Sequence, residues 1–219
     1  MTFLRLKLTT HVRICIWCIV LCFFLIRFAT AANATILLEP YLSFSFKGHV
    51  EKKSTPEGPT HEWSYMGPGY GFRVGFDFVS LLLGLELSTN KQTWEGDKAI
   101  TAGINDQPQE MNSNSLGLFI GTITSFGLIV RGTYFVMVNI EKKDHNGPYD
   151  QGDTYKGMGY SLALGYRFLP YLATTLEFRS FYMDRIKIAS DAGKTYSLSD
   201  GREASLSEIM LTVSAPLLF

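Results

Sequence analysis

From residue 35 onward, apolar and polar side chains alternate along the chain with a period of two. The clearest stretch is 70–78, where aromatic and aliphatic residues alternate with glycine and charged residues. A period of two places successive side chains on opposite faces of an extended chain, so these stretches are predicted to be β-strands. Eight strands are predicted, at residues 37–46, 70–78, 81–88, 115–124, 128–138, 159–168, 175–182 and 208–219.

The connections between these strands alternate in length. After strands two, four and six the chain turns within a few residues, whereas the other connections are long and polar, at about 48–64, 95–112, 140–156 and 184–204. Short turns at one rim and long loops at the other are typical of transmembrane barrels, in which the short turns are periplasmic. Within the last loop, residues 186–188 and 194–198 are predicted to continue strands seven and eight as a protruding hairpin.

The charged residues within the strands lie on the face opposite the large apolar side chains. An arginine or lysine that faces lipid near the bilayer midplane costs about 2–4 kcal/mol, so we expect the apolar face to point outward. The fifth strand, for example, is predicted to direct Tyr134, Val136 and Val138 to lipid. A soluble lipocalin-type barrel would have the opposite polarity, and eight strands cannot enclose this many Phe, Tyr and Leu side chains.

The inward-facing charges are predicted to form a network in the lumen. Interior glycines such as Gly71, Gly75 and Gly84 are expected to make room for the long arginine side chains. Arginine pairs bidentately with carboxylates, so the network is predicted to plug the barrel. The alternative is a gated ion path in which the pairs exchange partners. The predicted members are Glu39, Arg73, Asp77, Glu86, Arg131, Arg167, Glu177, Arg179 and Glu208.

Aromatic residues near both ends of the strands are predicted to form two interfacial girdles. The girdle at the long-loop rim is predicted to contain Tyr65, Tyr70, Trp94, Tyr160 and Tyr182. The girdle at the short-turn rim is predicted to contain Phe78, Phe126, Phe168, Tyr171 and Phe219.

The first 34 residues have the pattern of a cleaved signal peptide. A basic segment precedes an apolar stretch at 14–26, and small residues follow, with cleavage expected after Ala34 or Ala31. All three cysteines, Cys15, Cys18 and Cys22, lie in this segment, so residues 35–219 contain no disulfide or thiolate metal site. No metal or other cofactor is predicted, and the formal net charge of zero gives no indication of a nucleic-acid partner.

Together, the signal peptide, the eight alternating strands, the loop asymmetry and the final aromatic Phe219 resemble the OmpA/OmpX-like family of small outer-membrane β-barrels. The resemblance covers residues 35–219, the predicted barrel domain. It implies an all-β, eight-stranded antiparallel up-and-down barrel in the outer membrane of a Gram-negative bacterium, in contact with membrane lipids and lipopolysaccharide. It also implies that Phe219 is an assembly signal read by the barrel assembly machinery.

Three functions are compatible with this pattern. The favoured one is a non-catalytic surface scaffold whose external loops contact a partner, and the second is a narrow pore. The third is an enzyme that modifies lipid A. The histidines His49, His61 and His145 lie in predicted loops and no His-x-Ser motif is present, so no catalytic residues are predicted.

Overall fold

The computed structural model describes residues 35–53, 60–78, 81–96, 108–144, 151–198 and 204–219. The predicted signal peptide, residues 1–34, and His145 lie outside these residues. No helix in the described part of the chain is long and apolar enough to span a membrane. The described residues form ten strands, which are β1 Thr35–Lys53, β2 Thr60–Phe78, β3 Leu81–Gly96, β4 Gln109–Ile123, β5 Leu128–Lys142, β6 Thr154–Leu169, β7 Leu172–Lys187, β8 Thr195–Ser197, β9 Ala204–Ser214 and β10 Leu217–Leu218.

The strands close into one antiparallel barrel. Each strand from β1 to β7 pairs with the next, and β9 pairs with both β7 and β1. The short β10 follows β9 along the same wall and pairs with β1, with Leu218 opposite Leu37. With β8, β9 and β10 counted as successive segments of one wall, the described residues form eight walls. The predicted all-β, eight-stranded up-and-down barrel is therefore confirmed.

Two of the predicted short turns lie within the described residues and are confirmed. Between β4 and β5, the amide of Gly127 donates to the carbonyl of Thr124 at 2.9 Å. Gly127 has a φ of +97°, and a Cβ there would lie 2.7 Å from the carbonyl oxygen of Arg167. Only glycine suits that backbone conformation and that close approach. The other turn joins β6 to β7 at Pro170–Tyr171. The remaining predicted short turn, at residues 79–80, lies outside the described residues.

The long loops are shorter than predicted because the strands continue into them. β1 and β2 are each 19 residues long. A tilted strand crosses a bilayer with about 9–11 residues, so both extend well beyond the membrane. The predicted extents of loops 48–64, 95–112 and 140–156 are therefore wrong. In the strand segments beyond the predicted strand ends, the outward side chains are mostly polar, and polar residues of this kind are typical of loops.

The predicted hairpin in the last loop is confirmed. β8 pairs with the end of β7, with Ser197 opposite Arg185 and Thr195 opposite Lys187. Its turn contains Ala192 and Gly193 at positive φ. The Tyr196 hydroxyl donates to the Asp191 carboxylate, and this hydrogen bond raises the pKa of Tyr196.

An apolar belt surrounds the barrel between the two rims. Leu42 and Leu162 are 70% and 64% exposed, and their neighbours on the outward face are similarly large and apolar. Four members of the predicted short-turn girdle are exposed, namely Phe126, Phe168, Tyr171 and Phe219. Three members of the predicted long-loop girdle are exposed, namely Tyr70, Tyr160 and Tyr182.

Three residues that were predicted to face lipid are buried instead. Tyr65 and Trp94 point into the barrel, because the alternation of β2 and β3 continues unbroken beyond the predicted strand ends at Tyr70 and Ser88. Val138 is buried because β5 is irregular between Phe135 and Val138, where it pairs with β6. A bulge adds one residue and so reverses which face the following side chains occupy.

Candidate functional site

Seven charged side chains meet in the middle of the barrel. Each is 2% exposed or less. The register brings them together, since Arg73 on β2 lies directly opposite Glu39 on β1 and Glu86 on β3. The charge cluster, as we call it, consists of Glu39, Arg73, Glu86, Arg131, Glu177, Arg179 and Glu208.

Arg73 contacts three carboxylates of the charge cluster. Its Nη1 lies 3.0 Å from Oε1 of Glu39, its Nε 3.1 Å from Oε2 of Glu86, and its Nη2 3.3 Å from Oε2 of Glu177. The guanidinium carbon also lies 4.0 Å from the ring centre of Tyr41. One guanidinium therefore joins carboxylates from three different strands.

The other two arginines extend this network across the lumen. Arg179 Nε lies 2.8 Å from Glu177 and its Nη2 lies 2.9 Å from Glu86. Arg131 Nη1 lies 3.2 Å from Oε2 of Glu39. Arg179 Nη1 is 4.0 Å from Glu208 Oε1, the longest contact among these ion pairs. Because Glu39, Glu86 and Glu177 each contact two arginines, the cluster is one connected unit.

Neutral side chains donate further hydrogen bonds to two carboxylates. The Tyr41 hydroxyl donates to Glu86 at 2.8 Å, and the Thr133 hydroxyl donates to its other oxygen at 3.1 Å. Ser45 and Tyr65 donate to Glu208. Buried charges are tolerated when both their charge and their hydrogen-bonding groups are matched. With four carboxylates and three guanidiniums, the cluster matches most but not all of its buried polar groups, and among the described residues Oε1 of Glu208 and Nε and Nη2 of Arg131 have no hydrogen-bond partner.

Two apolar layers enclose the charge cluster. The inner apolar cluster lies toward the short turns, since Leu37 precedes Glu39 and Leu82 precedes Glu86 on strands that run away from that rim. Its members are Leu37, Leu82, Phe119, Ile123, Ile129 and Ala173. The outer apolar cluster lies toward the long loops and contains Val50, Trp63, Tyr65, Trp94, Met111, Phe135, Val138, Ile140, Tyr155, Phe181, Met183, Ile186, Leu198, Ala204 and Leu206.

Two of the interior glycines lie against aromatic rings. A Cβ on Gly71 would lie 2.3 Å from the Tyr41 ring, and one on Gly84 would lie 2.7 Å from the Phe119 ring. At these two positions the prediction that the glycine directly accommodates an arginine side chain is therefore wrong, whereas a Cβ on Gly121 would lie 3.1 Å from Cβ of Arg131. Gly71 supports Arg73 indirectly, because the absence of a side chain at Gly71 leaves space for the Tyr41 ring, and the Arg73 guanidinium lies over that ring.

Two predicted members of the network lie apart from the charge cluster. Asp77 is half-buried near the end of β2, opposite Thr35 and Leu82. Arg167 is half-buried near the end of β6, opposite Ala173. Sequence reasoning did not identify Tyr65 as a partner of Glu208, although extending the β2 alternation by a few residues would have placed it inside. Among the described residues, no group of three or more histidine, cysteine or acidic side chains is arranged to hold a metal ion.

Neither a protein-family model nor a curated protein matches the sequence. Among solved structures, the chain is similar to Ail of Yersinia pestis in complex with sucrose octasulfate, with 8% identity, 84% of this chain and 99% of that chain covered, and a TM-score of 0.49. It is similar to Neisserial surface protein A, with 13% identity, coverage of 83% and 97%, and a TM-score of 0.48. It is also similar to OprG from Pseudomonas aeruginosa, with 8% identity, coverage of 84% and 95%, and a TM-score of 0.44. No conclusion about activity or ligand follows from likenesses this distant.

The class of the protein follows from its own fold and surface. Closed barrels are one of only two architectures that satisfy every backbone hydrogen bond within a bilayer. Here a closed antiparallel barrel carries an apolar belt outside and a charge cluster inside. These features define an outer-membrane β-barrel protein of the small, eight-stranded type.

Proposed function

We propose that this protein is a non-catalytic scaffold of the outer membrane of a Gram-negative bacterium. Its barrel holds external hairpins and loops above the membrane, where they contact a surface partner. The observation that carries this proposal is the filled interior. The inner apolar cluster, the charge cluster and the outer apolar cluster follow one another along the barrel axis.

The segments beyond the membrane support the same function. We call the part of the barrel around the outer apolar cluster the outer half, and the part within the apolar belt the membrane half. In the outer half, Trp94 lies 5.9 Å from Tyr65 and 6.4 Å from Trp63, measured between ring centres. A packed core of this kind makes the outer half a stiff support, and the hairpin of β7 and β8 extends from it.

Epitope insertion tests the placement that this function requires. A short epitope is inserted into the β7–β8 turn between Asp191 and Lys194, and a control epitope is inserted into the β6–β7 turn at Pro170. Intact cells expressing the first variant are expected to bind the antibody, whereas cells expressing the control bind it only after permeabilisation. Heat-shifted gel mobility confirms that both barrels are folded. Labelling of the control on intact cells, or no labelling of the first variant, would contradict the proposal.

The partner interaction is tested with the same hairpin. Replacing the turn residues 189–193 by Asn-Gly keeps a hairpin, since this pair suits a tight two-residue turn. We expect adhesion of the expressing cells to abiotic, cellular and matrix-coated surfaces to fall while barrel assembly is unchanged. Adhesion equal to that of the parent protein on every surface would show that this hairpin does not contact the partner.

A further inference from the structure

A cleft of about 600 Å³ opens at the rim that carries the short turns. The β4–β5 turn, the β6–β7 turn and the last residues of the chain surround it. Its principal lining residues are Phe126, Arg167, Phe168, Tyr171, Leu217 and Phe219.

The backbone fixes the geometry of this cleft. The amide of Arg167 donates to the carbonyl of Gly127 at 2.8 Å, which ties the β4–β5 turn to the end of β6. The pairing of β6 with β7 is irregular between Arg167 and Leu169. Arg167 itself pairs in register with the buried Ala173, and the neighbouring exposed rings of Tyr166 and Phe168 pack against each other with their centres 5.1 Å apart.

Arg167 is the cation of this cleft, and it differs from the arginines of the charge cluster. In the part of the chain that the structure describes, no carboxylate lies within ion-pair distance of its guanidinium. The cleft around it is open and its lining has both polar and apolar surface, with Phe126 65% exposed and Tyr171 59% exposed. A guanidinium without an ion-pair partner, next to exposed aromatic rings, suits an anion that also carries apolar groups.

We propose that this cleft binds an anionic phospholipid of the periplasmic leaflet. The Arg167 guanidinium holds the phosphate, for which its planar fork is well suited. The rings of Phe126, Phe168 and Tyr171 lie at the level of the headgroup and glycerol, where aromatic side chains are favoured. Leu217 and the part of the apolar belt nearest the short turns then contact the beginning of one acyl chain. This site is independent of the proposed scaffold function, because it lies at the opposite end of the barrel.

Native mass spectrometry of the full-length protein, released from micelles, tests this proposal. The micelles contain phosphatidylglycerol or, in a second arm, the same concentration of phosphatidylcholine. The test variant is Arg167→Gln, and the matched control is Arg185→Gln, because Arg185 lies at the other rim and already pairs with Asp184 at 3.2 Å. Phe168→Ser tests the apolar wall. Heat-shifted gel mobility establishes that each variant is folded.

The parent protein is expected to retain phosphatidylglycerol over phosphatidylcholine. Loss of a charge-assisted bond predicts that Arg167→Gln lowers phosphatidylglycerol retention by about tenfold, while Arg185→Gln leaves it unchanged. Phe168→Ser is expected to lower the retention of both lipids. Equal retention of the two lipids by the parent, or unchanged retention in Arg167→Gln, would overturn the proposal. Displacement of the lipid by an equal concentration of inorganic phosphate would also overturn it, because the acyl chain would then contribute nothing.

Discussion

The membrane half and the outer half of this barrel share the same strands but have opposite polarity. In the membrane half, Leu118 faces outward and is 52% exposed, whereas Arg73 is fully buried inside. In the outer half, Lys91 faces outward and Trp94 is buried inside. The strands thus carry the pattern of a membrane barrel at one end and that of a soluble barrel at the other.

This difference shows that the surrounding solvent selects the polarity of each face. Lipid covers the outward face of the membrane half, so polar groups there are confined to the interior and must be matched with one another. Water covers the outward face of the outer half, so burial of apolar side chains stabilises its interior. Ion pairs are therefore the distinguishing feature of the interior of the membrane half, and apolar packing is that of the outer half, where the buried Lys142 also pairs with Asp144.

Removal of Arg73 is expected to have the largest effect on stability. Arg73→Ala leaves Glu39, Glu86 and Glu177 with one counter-ion fewer in a buried site. Breaking a buried ion pair costs about 3–5 kcal/mol, and we expect the upper end of this range because three carboxylates are affected. The measurement is the urea midpoint of folding, followed by heat-shifted gel mobility. The exposed Arg185→Ala is the control, with a change of less than about 1 kcal/mol. Equal midpoints for the two variants would mean that the charge cluster does not stabilise the membrane half.

Truncation of Trp94 tests whether the outer half has its own core. Trp94→Ala is expected to cost about 3–5 kcal/mol through lost burial and a cavity. We expect increased proteolysis near β3 and β4 in the outer half, while the membrane half keeps its heat-shifted mobility. Tyr70→Ala, a lipid-facing aromatic change, is the control and leaves proteolysis unchanged. If Trp94→Ala abolished the heat shift as well, the two halves would fold as a single unit.

Added charges on the outward face test the change of polarity directly. Leu118→Arg in the belt is expected to cost about 2–4 kcal/mol, because it exposes a guanidinium to lipid. Thr93→Arg, an outward change in the outer half, is expected to stay within about 0.5 kcal/mol, as surface substitutions usually do. Both are measured as shifts in the urea midpoint. A similar cost at both positions would contradict the boundary between the halves.

The glycine that accommodates Tyr41 is expected to give the smallest of these effects. Gly71→Ala places a Cβ 2.3 Å from the Tyr41 ring and 2.5 Å from the carbonyl of Leu87. Overpacking of this kind costs about 1–3 kcal/mol. Gly132→Ala is the matched control, since its Cβ would have no neighbour closer than 3.7 Å. Equal folding midpoints for the two alanine variants would show that the Tyr41 ring adjusts freely.

The sequence predicted the membrane half well because there the alternation has large outward apolar residues and inward charges. Seven of the predicted charged residues, from Glu39 to Glu208, meet in the structure for this reason. Much of the outer half is predicted as loop because its outward residues, such as Glu51 and Glu95, resemble loop residues. Glu86 faces the interior, and continuing the alternation of β3 from Glu86 to Trp94 would have placed Trp94 inside as well.

Other features could not be derived from alternation alone. The bulge in β5 exposes both Val136 and Met137, and it reverses the face on which Val138 lies. No residue type in this stretch marks such an insertion. Arg167 is separated from the charge cluster because it lies near the end of β6. The alternation predicts which face of a strand a residue occupies, but not its height along the barrel axis.

The central claim is that the charge cluster and its two apolar layers close the lumen, and single-channel conductance in a planar bilayer tests it most directly. The refolded protein, with folding confirmed by heat-shifted mobility, is expected to give no current steps. Reproducible steps that change with Arg73→Ala or Glu86→Ala would contradict this account, because the charge cluster would then be an ion path.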